Sequence, residues 1–116
     1  MIALLALCFH SLALYNNMMT PMGINMGFFN AISLVSAFIT LLTISAVWRY
    51  PVDILAVILL PFTAAAMLID ATNTSSHLLE PDSSSALVFH IITSIISYSI
   101  LALSAVQAIL LSIQSR

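Results

Sequence analysis

Residues 86–112 run for 27 positions without a Gly, Pro, Lys, Arg, Asp or Glu. A helix rises about 1.5 Å per residue, so some 20 such residues cross the hydrocarbon core of a bilayer. The run therefore reads as a membrane helix. It carries one histidine, His90, about a turn inside its first end. An imidazole is costly in lipid, so it faces protein or water and marks a functional hypothesis by default.

The composition agrees with this reading. The chain has 116 residues, 62% of them hydrophobic and 5% charged. A soluble domain has roughly a quarter charged residues, and a small one leaves much of its surface exposed. The expected fold is all-α, a polytopic membrane helical bundle with four transmembrane helices at about 1–15, 28–48, 52–70 and 86–112. A membrane β-barrel would instead show alternating segments of about ten residues. Residues 1–116 are expected to form a single transmembrane domain, a fragment of a longer multi-span protein, because the first span is short for a crossing. It lacks the basic n-region and cleavage site of a secretory signal.

Several function classes are excluded. Two basic residues cannot build a nucleic-acid footprint, which rests on many Lys and Arg contacts. The single Cys8 rules out an internal disulfide and a Cys-rich metal motif. Gly23 and Gly27 are the only glycines, too few for a Walker or Rossmann loop or a Gly-x-Ser-x-Gly elbow.

Between the spans lie two polar loops, 16–27 and 71–85. The first holds Met18, Met19, Met22 and Met26; these read as flexible gap-fillers at the interface rather than a Cu(I) site. The second holds His77, Glu80 and Asp82, and ends in Ser83, Ser84 and Ser85, any of which can cap the next helix. In the second span Asn30, Ser33, Ala37 and Thr40 share one face, as helix–helix contacts in lipid require. Pro61 is expected to kink the third span, and Asp70 at its end reads as an interfacial carboxylate rather than a proton relay. Arg49, with Trp48 and Tyr50, follows the second span and Arg116 the fourth. The positive-inside rule then puts both termini in the cytoplasm and both polar loops outside.

His10 and His90 fall at matching depth, roughly 6–9 Å below the outer surface by helical rise, with His77 in the loop above. His10 shares its face with Ala3, Ala6 and Ala13, and His90 with Ala86, Thr93, Ser94 and Ser97. Small residues mark faces where helices approach, so both imidazoles are expected to point inward. Such a pair suits the axial positions of a haem iron, walled by Phe28, Phe29, Phe89 and Met26. The alternatives are a structural or regulatory membrane subunit whose histidines only hydrogen-bond, and a proton-coupled transporter fragment with His90 as the carrier. Zinc is disfavoured, since no third or fourth ligand stands at suitable spacing.

The run Leu87-Val88-Phe89-His90-Ile91, with Ser94, Ser97-Tyr98 and Leu101-Ala102, resembles the histidine-bearing helix of the cytochrome c assembly proteins. So do His10-Ser11-Leu12-Ala13, the run from Phe29 to Ser36, Leu59-Leu60-Pro61 and His77-Leu78-Leu79-Glu80. This is the CcsA/CcmC/CcmF-type haem-handling superfamily, and the chain is most similar to its YpjD-type inner-membrane branch, over the N-terminal portion. The resemblance implies a multi-pass protein of the bacterial inner (plasma) membrane, with haem as cofactor. It also implies apocytochrome c and other maturation proteins as partners, and delivery or an accessory role rather than catalysis by itself. By position it implies His90, then His10 and His77, as haem-contacting residues, with His90 and His10 on the iron. The family's tryptophan-rich periplasmic motif is not in this stretch, where Trp48 is the only Trp.

Overall fold

The computed structural model describes residues 1–73, 75–80 and 82–115. Arg116, one of the two charges used to orient the chain, lies outside them. Four helices carry the fold: α1 (Ile2–Met18), α2 (Phe28–Arg49), α3 (Asp53–Thr72) and α4 (Ser85–Gln114). Each boundary falls within three residues of the hydropathy reading. The helices α2, α3 and α4 are long and apolar enough to cross a membrane. At 17 residues, α1 reaches about 26 Å, slightly less than the hydrocarbon core.

α2 is the hub, packing against α1, α3 and α4. Its core-facing side contains the predicted stripe Asn30, Ser33, Ala37 and Thr40, all buried, and adds Ser36 and Thr43. Three of its hydroxyls are satisfied within the helix, Ser36 donating to Ser33 O at 2.8 Å, Thr40 to Ser36 O at 2.9 Å and Thr43 to Ile39 O at 2.7 Å. Small, self-satisfied side chains let neighbouring backbones come close without orphaned polar atoms. The bulky residues Phe9, Trp48, Phe62 and Leu68 instead lie exposed on the outside, where lipid is as apolar as a protein core.

α2 ends where Tyr50 turns extended (φ −136, ψ 147), the conformation that the following Pro51 favours. α3 continues through Pro61. Its buried face, Leu55, Leu59, Thr63 and Asp70, holds one correction. Asp70, in the last turn of α3, does not face out as an interfacial carboxylate open to solvent would: it is only 7% exposed, turned inward against the bundle. Ser84 caps α4, its hydroxyl accepting from Leu87 N at 3.3 Å.

The two polar loops are not independent. Residues 19–20, 23–25 and 78–79 form strands β1 (Met19–Thr20), β2 (Gly23–Asn25) and β3 (Leu78–Leu79), antiparallel in that order. Ile24 faces Met19 on one side and Leu79 on the other. Gly23 is required at the turn, since its φ is +129 and a Cβ there would meet Leu79 O. The hydropathy pattern read both segments as loops because a strand of two or three residues carries no period.

Candidate functional site

Asn25 anchors the outer end of the molecule. Its side-chain Oδ1 accepts from Gly27 N and His77 N, both at 3.0 Å, and its Nδ2 donates to Ser75 O at 3.0 Å. Its carbonyl accepts from Asn30 Nδ2 at 3.0 Å. Met26 N donates to His77 O at 2.8 Å, and Ser75 Oγ accepts from Phe29 N at 3.2 Å, satisfying a free amide in the first turn of α2. Gly27 is buried beneath Ser75, where any Cβ would collide with it. The segment bearing His77 is thus tied onto the start of α2.

That arrangement brings His77 to His90. Both line a cavity of about 790 Å³ between α2 and α4, beneath the small sheet. Met26, Phe28, Val35 and Tyr98 contribute to its walls. Among the described residues neither imidazole has a hydrogen-bond partner. The cavity's size and apolar lining fall within the range of ligand pockets.

His10 lies elsewhere. It is buried, and its Nε2 is 3.0 Å from Ser33 Oγ. Ser33 points some 200° around α2 from Ala31 and Val35, which line the His77–His90 cavity. α2 therefore separates His10 from His90. The expected pairing of these two across a common space is corrected: the helix order puts them on opposite faces of the hub. The histidine that shares a cavity with His90 is His77.

The inward face of α4 is also corrected. Ile95 and Ser99 are the buried residues, and Ser94 lines the cavity, but Thr93 and Ser97 are exposed. Their hydroxyls donate to Phe89 O at 2.8 Å and Thr93 O at 2.7 Å, so they need no neighbouring helix. Close approach occurs at Ser99, whose Oγ lies 2.7 Å from Ile95 O and 3.4 Å from Val35 O of α2. Of the predicted aromatic wall, Phe28 and Met26 line the cavity. Phe29 packs edge-on to Phe28 at 5.5 Å, and Phe89 is exposed. Asn25, Ser75 and Tyr98 join the site without being marked as such by the sequence pattern. A single Asn in a polar loop gives no local signal of the contacts it makes some 50 positions away.

No curated protein and no solved structure matches the chain. The family model described as Cytochrome C assembly protein matches residues 1–116, the whole length whose helices carry the cavity. The chain belongs to the cytochrome c assembly protein family, and is a membrane protein with a role in cytochrome c biogenesis.

Proposed function

We propose that this chain handles haem during cytochrome c assembly, and that the cavity between α2 and α4 is where it does so. The observation that carries the reading is the meeting of His77 and His90 in one apolar cavity of about 790 Å³. Imidazoles without hydrogen-bond partners among the described residues are available as iron ligands, and a mostly apolar wall suits a flat macrocycle. Haem, when bound, supplies the iron and the porphyrin that is to be attached to apocytochrome c. The protein's own contribution is to hold, orient and shield. His90 would present a nitrogen from α4, and His77 one from a segment tied down by Asn25. Tyr98 and Met26 border the same space. His10 is left out of the ligand set, because its Nε2 already faces Ser33 and α2 stands between it and the cavity.

The proposed setting is the bacterial inner membrane, with the sheet and the His77 segment on the periplasmic side. Arg49 at the inner end of α2, beside exposed Trp48 and Tyr50, supports that orientation. Apocytochrome c and other maturation proteins are the proposed partners, reached from the sheet side. The test is an absorption spectrum of the purified full-length protein after haem supply. A Soret band that His90→Ala removes and His77→Ala removes or shifts is expected. The absence of a Soret band in the unmutated protein overturns the reading and leaves a structural subunit.

A further inference from the structure

A second polar centre sits on the other side of α2. Asp70 is more than nine-tenths buried, and its Oδ1 has no hydrogen-bond partner among the described residues. α2 and α3 are antiparallel, joined by the short turn at 50–52. Counted equally from that turn, Asp70 lies level with Ile32 and Ser33 on the hub. Ser33 is the residue that His10 contacts at 3.0 Å, and Met67, one turn before Asp70 on α3, lines a cavity together with His10. Below them a cavity of about 440 Å³ continues between α1, α2 and α3, lined by His10, Thr40, Thr63 and Met67 among others.

We infer that His10, Ser33 and Asp70 form a buried proton-binding site that carries one proton, on either the carboxylate or the imidazole. An isolated carboxylate inside a membrane bundle is strongly disfavoured, so Asp70 requires either a proton of its own or a cationic neighbour. His10, in contact with Ser33, is the buried titratable group of α1. α2 presents only Ser33 and Asn30 at this level, its single charged residue Arg49 lies at the opposite end, and α4 packs on the hub's other side. On α1, Cys8 and Tyr15 are exposed. Ser33 suits both states of the site, since a hydroxyl accepts from a protonated imidazole and donates to a neutral one. The inference does not rest on the haem reading, and involves neither His77 nor His90.

The test uses full-length protein in lipid nanodiscs, with histidine rings labelled with ¹⁵N and infrared spectra recorded in parallel, across about pH 6 to 8, where an ordinary carboxyl is already ionised. The expected result is one of two signatures: an imidazolium ring assigned to His10 by His10→Gln, or a protonated-carboxyl stretch assigned to Asp70. Asp70→Asn is expected to abolish the carboxyl stretch or return the His10 ring to neutral. If Asp70→Asn does not fold, His10→Gln serves instead: a carboxyl stretch that appears or shifts supports the site, and one that persists unchanged overturns it. A neutral His10 ring with no carboxyl stretch overturns it. So does a signal displaced by sodium chloride at constant pH, which would make the site one for a cation. Neither outcome alters the Soret experiment.

Discussion

The two faces of α2 solve the same problem in opposite ways. On one face, His10 is buried and meets Ser33, with Asp70 at the same level. On the other, His77 and His90 are exposed in an open apolar cavity, with no partner among the described residues for either ring. A histidine enclosed by its own chain is committed to the bundle. A histidine left without a partner beside an apolar space is available to something the chain does not supply. Position around the hub distinguishes them.

The strongest way to break that comparison is to exchange the roles. His90→Ala or His77→Ala is expected to weaken or remove the Soret band while leaving the bundle's thermal midpoint nearly unchanged. His10→Gln is expected to do the reverse. Haem lost with His10→Gln but kept with His90→Ala would assign the two faces the other way round.

Next in size is Asn25→Ala. It removes three side-chain hydrogen bonds that tie the His77 segment to the start of α2, worth about 2–3 kcal/mol together. Hydrogen exchange should speed up at 75–79 and at the first turn of α2, with α1 unaffected. Uniform acceleration over all four helices would show that Asn25 supports the whole bundle rather than one face. Ser33→Ala sharpens the opposite face. The lost contact to His10 should cost about 0.6–1.7 kcal/mol, the range for side-chain bonds within a bilayer. It should change α1 exchange without moving the Soret band. Smallest of all is Ser97→Ala, within about 0.5 kcal/mol of the unmutated protein in denaturation, since this exposed hydroxyl serves only its own helix. A larger effect would place a further packed element against that side of α4.

Much of the local architecture was legible from residue order. Apolar run length gave four helices to within three residues, Ser84 was among the predicted caps, and the stripe Asn30, Ser33, Ala37 and Thr40 was predicted to be the packing face. The stripe succeeded because α2 is surrounded by helices and must use small residues toward them. The same rule misread α4 at Thr93 and Ser97. That helix touches the hub along one narrow line, so its remaining hydroxyls close on their own backbone carbonyls instead. Small polar residues thus permit a contact without requiring one.

Sequence alone therefore determined that the chain is a bundle of long apolar helices and where those helices begin and end. Those properties follow from hydropathy and helical rise, which act along the chain, whereas the family is carried by the match over residues 1–116. Only the tertiary structure decided which histidines share a space, that Asp70 is enclosed, and that two separate loops join into one small sheet around Asn25. These depend on which helix lies against which face of α2. That order is fixed by contacts between residues tens of positions apart, for which local periodicity has no term.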